Sequence, residues 1–100
     1  MNKVQNFIGI DISKEWFDAG LLKKDNPHDL KHHQFKQTHD GFKEFIAWLQ
    51  ENNISINEDT LFCMENTGIY NDRLVNYLLG IKAQVWVEMP LIIKRAEGFQ

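Results

Sequence analysis

The sequence predicts an α/β fold, a mixed five-stranded sheet with helices on its faces. The first third of the chain holds three strand-like runs joined by short connections, which predict antiparallel strands. After residue 38, segments with helical spacing of apolar residues alternate with short buried strands, and helical crossovers join parallel strands. The 100 residues, 43% of them hydrophobic, are enough for one compact domain and its core.

The antiparallel part consists of three predicted strands. Residues 5–12 are apolar nearly throughout, which predicts a central strand covered on both faces. Residues 15–23 place Phe17 and alternate residues on one face, and the polar residues 30–37 suit an outer strand. The stretch KDNPHD between the last two runs predicts a turn, because Asn-Pro flanked by aspartates breaks regular structure.

The second part of the chain predicts helical crossovers. Apolar residues recur at helical spacing over residues 38–53, where Thr38 or Asp40 can cap the helix start. The remaining elements are a strand over residues 60–65, a helix over 71–80, a strand over 83–88 and a final helix that begins near Pro90. This order of strands and helices is typical of a ribonuclease-H-like fold.

Charge and composition limit the partners and the cellular compartment that the sequence predicts. The net charge of −3 is not that of a self-sufficient nucleic-acid binder, although another domain or subunit could contact nucleic acid. The single Cys63 cannot form an internal disulfide, which favours a reducing, cytoplasmic location. No signal peptide is visible, and no apolar run approaches the roughly 20 residues needed to span a membrane.

Two carboxylates lie at the ends of predicted parallel strands. Asp11 is near the carboxyl end of the first strand, and Glu65 ends the fourth. Neighbouring strands lie about 5 Å apart, so the two charges would repel unless a divalent cation used both as oxygen ligands. Open parallel sheets also bind ligands beyond the carboxyl ends of their strands. The alternative is structural: Asp11 caps a turn and Glu65 pairs with Arg73 or Lys14.

Other acids near this edge have simpler interpretations. Glu88 is a third candidate because it ends the fifth strand on the same edge, but an exposed strand-end charge explains it. Asp18 lies mid-strand and can point towards solvent. Asp72 lies in the first turn of a helix, where the helix dipole alone favours an acid.

Histidine and tryptophan also suggest sites. The four histidines invite a zinc interpretation, but His32 and His33 are adjacent on a predicted strand and point to opposite faces. A polar outer strand is the better interpretation. Trp48 and Trp86 lie in apolar periodic segments and are predicted core residues. Trp16 is predicted to be partly exposed near the carboxylates.

The combination of motifs resembles a known family. The stretches IGIDISKEWFDAGL, GFKEFIAWL, MENTGIYNDRLVNYLLGIKAQVWVEMP and IKRAEGF are similar to the N-terminal domain of DEDD-type transposases. This is the insertion sequence one-ten family, which includes the Piv-type DNA invertases. Asn66 and Met89 depart from the family's pattern, which often has Ser and Asn there.

The resemblance implies a fold like the Holliday-junction resolvase RuvC and four acids that bind Mg²⁺ (or Mn²⁺) for DNA strand cleavage and transfer. By resemblance, Asp11 is the first acid and Glu65 the second. The other two belong to a Lys-Ser/Thr-Asp-x-x-Asp motif that nothing here matches. Residues 1–100 are therefore expected to be the N-terminal part of a transposase catalytic domain, truncated before the last two acids and inactive alone. DNA is the implied partner, and some members use a structured guide RNA. The oligomeric state, including a homo-oligomer, stays open.

The resemblance also suggests substrate contacts. Thr67 and Tyr70 match the pattern and lie in the loop after Glu65, where turn geometry explains them equally well. Lys14 lies near the edge of the predicted site and could touch phosphate, as could the small basic patch of Lys94 and Arg95. A solvated surface charge is the simpler interpretation for all three cations.

Two rival functions come from other classes. A sugar-kinase or actin-like ATPase half-domain also opens with an aspartate-bearing strand and a hairpin, but ISKEW lacks the Gly-Thr-rich phosphate turn expected there. A non-catalytic relic or interaction domain would show no metal dependence. In that case Asp11→Asn would stabilise the fold by removing charge repulsion.

Overall fold

The computed structural model describes residues 4–65 and 72–88, with the side chains of Glu65 and Glu88 outside the described part. The elements are β1 (Asn6–Ile12), β2 (Trp16–Lys23), β3 (Asn26–Lys36), α1 (His39–Glu51), β4 (Thr60–Glu65), α2 (Asp72–Gly80) and β5 (Gln84–Glu88). The predicted order of strands and helices is confirmed through β5. The final helix predicted from Pro90 lies outside the described residues.

One mixed sheet contains all five strands, in the order β3-β2-β1-β4-β5. β2 pairs antiparallel with both β1 and β3, whereas β4 pairs parallel with β1 and β5. The predicted mixed five-stranded α/β sheet is therefore confirmed. The carboxyl ends of β1, β4 and β5 lie at the same end of the sheet, because these strands are parallel.

The outer strand β3 begins earlier than the sequence predicts. Its first residue is Asn26, which pairs with Lys23, so the turn contains only Lys24 and Asp25. The turn predicted in KDNPHD is confirmed at Lys24 and Asp25, but it is shorter than predicted because the remaining residues belong to β3. Pro27 is tolerated in β3 because this strand lies at the edge of the sheet, where a missing N–H donor leaves no ladder bond unmade.

One face of the sheet forms the core together with both helices. Ile8, Ile10 and Ile12 of β1 are buried in one cluster with Phe45 of α1 and with residues of α2. The α2 members of that cluster are Leu74 and Leu78. Both described helices therefore pack on this one face, and the third predicted helix lies outside the described residues. Both crossovers progress in one direction across the sheet, and right-handed connections of that kind fall on the same side.

The face of the sheet opposite the core is called here the open face. Along each strand, residues point alternately to the core face and to the open face. On β1 it carries Phe7, Gly9 and Asp11, all exposed, so the prediction of a strand covered on both faces is wrong among the described residues. Trp86 is 59% exposed. It pairs with Cys63, whose neighbour in the register is Gly9 of the open face. The prediction that Trp86 is a core residue is also wrong. Trp48 is half-buried against the core cluster, in closer agreement with its prediction.

Helix α1 begins where the sequence predicts. The Thr38 hydroxyl oxygen accepts a hydrogen bond from the Gly41 amide at 3.0 Å, which satisfies one of the amides left free at a helix start. The other end stops after Glu51, with Asn53 at φ 64°, a left-handed conformation that asparagine tolerates. Among the described residues, no helix is long and apolar enough to span a membrane.

Gly41→Ala is expected to destabilise the protein by roughly 1–3 kcal/mol, because overpacking against backbone costs about that much. A Cβ atom on Gly41 would overlap the Lys36 carbonyl oxygen at the junction of β3 and α1. Urea denaturation measures the effect. Gly80→Ala is the matched control, since it adds the same atom to a helical glycine with nothing within 4 Å. It is expected to be neutral or stabilising, and equal losses in both variants would contradict the clash.

Candidate functional site

A tight hairpin joins β1 to β2 and sets the register of the acids. The Ser13 amide donates to the Trp16 carbonyl oxygen at 2.9 Å, and the Ser13 hydroxyl donates to the same oxygen at 3.1 Å. Only Lys14 and Glu15 remain in the loop. With this loop, Asp11 pairs directly with Asp18 on the neighbouring strand.

Four acids occupy one line across the sheet, called here the acidic row: Asp18, Asp11, Glu65 and Glu88. Ile10 of β1 pairs with Met64 of β4, so Glu65 is the next residue along the same register and lies beside Asp11. Glu65 in turn pairs with Glu88 of β5. The row therefore crosses four adjacent strands, β2, β1, β4 and β5, with neighbouring strands about 5 Å apart.

The two described carboxylates of the row have no compensating partner among residues 4–65 and 72–88. Asp11 is exposed and Asp18 is half-buried, and within the described part of the chain neither takes part in a hydrogen bond or ion pair. Like charges directly opposite each other on paired strands are destabilising. The fold thus brings Asp11 and Asp18 together, and no described residue neutralises their charges.

Within the described part of the chain, no three His, Cys, Asp or Glu side chains lie close enough together to hold a metal ion. Asp11 and Asp18 form a pair, and a larger set requires Glu65 or Glu88, whose side chains lie outside it. All four positions would supply carboxylate oxygens, the ligands preferred by Mg²⁺ and Mn²⁺.

The predicted site residues have different outcomes. Asp11 and Glu65 lie on neighbouring parallel strands, as the sequence predicts. Ser13, and not Asp11, makes the hydrogen bonds that close the following turn. Lys14 is exposed in the hairpin loop, while Thr67 and Tyr70, like Lys94 and Arg95, lie outside the described residues.

Asp18 and Glu88 also belong to the acidic row. The position of Asp18 on the open face and that of Glu88 at the end of β5 agree with what the sequence predicts for them. The signal for Asp18 was present in the sequence: a two-residue loop after Ser13 necessarily pairs Asp11 with Asp18. The signal for Glu88 was its position: it is the last residue of β5, as Glu65 is the last residue of the parallel neighbour β4.

The histidines are separated, as the opposite-face argument predicts. His33 lies on the helix-covered face, with its ring centroid 4.6 Å from that of Phe35. His32 pairs with Gly20 on the open face, and His39 lies 5.8 Å from the Tyr77 ring, centroid to centroid. His28 is exposed on β3. The described histidines thus belong to different surroundings.

A cleft with a basic lining, called here the basic cleft, opens beside the β1–β2 hairpin. It has a volume of about 410 Å³ and is lined by Lys14, Glu15, Trp16, Lys36, Gln37, Thr38 and Arg73. The Lys36 ammonium lies 5.7 Å from the centroid of the Trp16 ring. Trp16, Lys36 and the acidic row share the open face, because Trp16 precedes Asp18 by two residues on β2.

Comparison with known proteins places the chain in a family. Residues 8–100 match the DEDD transposase family of the insertion sequence 110 type, described as transposase. The chain belongs to this DEDD transposase family. The predicted resemblance is thereby confirmed over nearly the whole sequence.

Two relatives of this member of the DEDD transposase family are pilin gene-inverting proteins, from Moraxella bovis and Moraxella lacunata. Each is 30% identical to it over 90 residues. The match covers 89% of this chain and 26% of each relative. The chain therefore spans about a quarter of the length of these relatives.

A solved structure shares the fold. An exopolyphosphatase from Cytophaga hutchinsonii matches with a TM-score of 0.54 and 16% sequence identity. The match covers 85% of this chain and 34% of that one. At this identity the likeness concerns the arrangement of strands and helices alone.

Proposed function

We propose that these residues form part of the catalytic domain of a cytoplasmic DNA transposase or recombinase that cuts and joins DNA strands with Mg²⁺ or Mn²⁺. The acidic row carries this proposal. Family membership and the pilin gene-inverting relatives support DNA as the substrate. We propose that the remaining two acids of the family's set come from residues other than these 100.

The proposed fold is ribonuclease-H-like, close to RuvC. The strand order β3-β2-β1-β4-β5, with only β2 reversed, supports it. So does the position of the acids, because ligands of open α/β sheets bind outside the carboxyl ends of parallel strands. The likeness to an exopolyphosphatase sheet fits this arrangement of strands but adds nothing about the reaction.

The donor set suits a hard divalent cation. Asp11 and Asp18 are accessible carboxylates without a partner in the described part of the chain, and such oxygens are what Mg²⁺ takes as ligands. Asp11 and Glu65 would hold the ion, which when bound polarises a phosphoryl oxygen and lowers the pKa of a bound water. In this proposal both side chains serve as ligands and not as proton shuttles. The adjoining Asp18 adds negative potential that favours a cation.

Mn²⁺ at about 10 mM is expected to raise the melting temperature of the wild-type chain, and Asp11→Asn is expected to remove this rise. A site with a Kd of about 1 mM would gain about 1.4 kcal/mol, or about 5–10 °C for a domain of this size. In EDTA, Asp11→Asn should instead be slightly more stable than wild type, because a like-charge contact is removed. Thermal unfolding by circular dichroism measures both.

Glu44→Gln is the matched control for this experiment. It removes the same charge from an exposed position on α1, on the far side of the sheet from the acidic row, and should leave the Mn²⁺ effect intact. An interaction domain without metal chemistry predicts no Mn²⁺ effect in any variant. An ATPase half-domain predicts stabilisation by ATP that exceeds the effect of the metal alone. Either result would count against the proposed function.

A further inference from the structure

The basic cleft is a concentration of positive charge on an acidic chain. Its lining includes the cations Lys14, Lys36 and Arg73 and a single acid, Glu15, whereas the whole chain carries a net charge of −3. Within the described part of the chain, none of the three cations is engaged in an ion pair with a carboxylate. Unpaired cations gathered around one concavity favour an anionic ligand.

The cleft also presents an aromatic surface. Trp16 is 38% exposed, and Lys36 pairs with it across β2 and β3, with its ammonium near the ring face. An exposed indole beside free cations is the combination that binds single-stranded nucleic acid, because the base stacks on the ring and the phosphate meets the cation. Double-stranded DNA keeps its bases stacked on one another and offers only the phosphate.

Hydrogen bonds hold the cleft in shape. Gln37 is 6% exposed, and its side-chain amide donates to the Ser13 carbonyl oxygen at 3.0 Å. Its backbone amide donates to the Glu15 carbonyl oxygen at 2.9 Å. Thr38, also in the lining, caps α1. These bonds tie the β1–β2 hairpin to the end of β3 and so fix the backbone positions from which Trp16 and Lys36 project.

We propose that the basic cleft binds a nucleotide of single-stranded DNA, with its phosphate against Lys36 and Arg73 and its base on Trp16. Lys14 adds to the positive potential at the mouth of the cleft, and Glu15 opposes it. This inference rests on the proposed function, because Trp16 and Lys36 of the cleft share the open face with the acidic row, to which a bound strand would be guided. The cleft itself does not require the metal.

The test is binding of a fluorescein-labelled oligo(dT) dodecamer to the 100-residue chain in EDTA, followed by fluorescence anisotropy across a range of salt. Lys36→Gln and Arg73→Gln should each raise the Kd about 5-fold or more. Each should also reduce the slope of log K against log salt by about 0.7, the value for one phosphate contact on a single strand. Trp16→Leu should raise the Kd at least about 5-fold with the slope unchanged, and Trp16→Phe should restore most of the affinity.

Matched controls distinguish binding in the cleft from binding that depends only on the overall charge or on the acidic row. Lys24→Gln removes the same charge from the β2–β3 turn at the opposite end of the sheet and should change the Kd less than about 2-fold. Because binding is measured in EDTA, failure of the metal proposal leaves this result standing. Equal losses in Lys24→Gln and Lys36→Gln, no loss in Trp16→Leu, or tighter binding of oligo(U) than of oligo(dT) would each overturn the inference.

Discussion

Asp11→Asn is expected to lower metal-dependent DNA strand cleavage by at least about 100-fold in the gene product that contains these residues. Loss of residues that merely support a metal ligand costs about 10- to 100-fold, and Asp11 is proposed as a ligand itself. The amide keeps the size of the carboxylate and loses its charge, so the ion is held less tightly and in a different position. The measurement is nicking of a supercoiled plasmid that carries the DNA ends of the transposable element that encodes this protein, in Mg²⁺ and in EDTA.

Two comparisons make this result specific. Glu44→Gln on α1 should cleave as wild type does, because its charge lies behind the sheet, away from the acidic row. The 100-residue chain alone should not cleave DNA, because it supplies only two of the four proposed ligands. Wild-type cleavage by the Asp11→Asn protein would remove Asp11 from the mechanism. Cleavage by the short chain that Glu65→Gln abolishes would show that these residues suffice.

The order of the strands was predictable because it depends on local features. Helical spacing between strands requires crossovers, and crossovers make the joined strands parallel. Short connections among the first three strands make them antiparallel. Asp11 and Glu65 follow from the same reasoning, since the ends of parallel neighbours meet at one edge.

The faces of the sheet were harder to predict from sequence. Phe7 and Gly9 make β1 read as apolar throughout, although alternate residues point to the open face. The same problem misplaced Trp86, whose exposure follows from its pairing with Cys63. An apolar run does not reveal how many of its faces are covered, because that depends on where the helices pack.

The basic cleft could not have been predicted by local pattern. Its cations Lys14, Lys36 and Arg73 belong to the hairpin loop, to β3 and to α2, and no motif links their spacing. They meet because β2 pairs with β3 and because Gln37 ties the hairpin to the start of α1. The sequence alone therefore predicts for Lys14 a possible phosphate contact or a solvated charge, and it does not link Lys14 to Lys36 or Arg73.

Phe45→Ala is expected to cost roughly 3–5 kcal/mol of folding free energy, the usual range for a buried phenylalanine. Phe45 is fully buried, and its ring centroid lies 5.2 Å from that of Phe17 on β2 and 6.0 Å from that of Phe62 on β4. The ring thus supports the strands that carry Asp18 and Glu65. The free energy of unfolding of a domain of this size is about 5–15 kcal/mol, so urea denaturation should show a large loss of stability.

Phe7→Ala is the matched control, because it removes the same ring from the open face, where Phe7 is 37% exposed. Phe7 is only partly removed from water in the described fold, so its loss should cost about 1 kcal/mol, in proportion to the smaller apolar area. A cost for Phe7→Ala as large as that for Phe45→Ala would contradict an exposed open face. It would mean that the face bearing the acidic row is covered in solution.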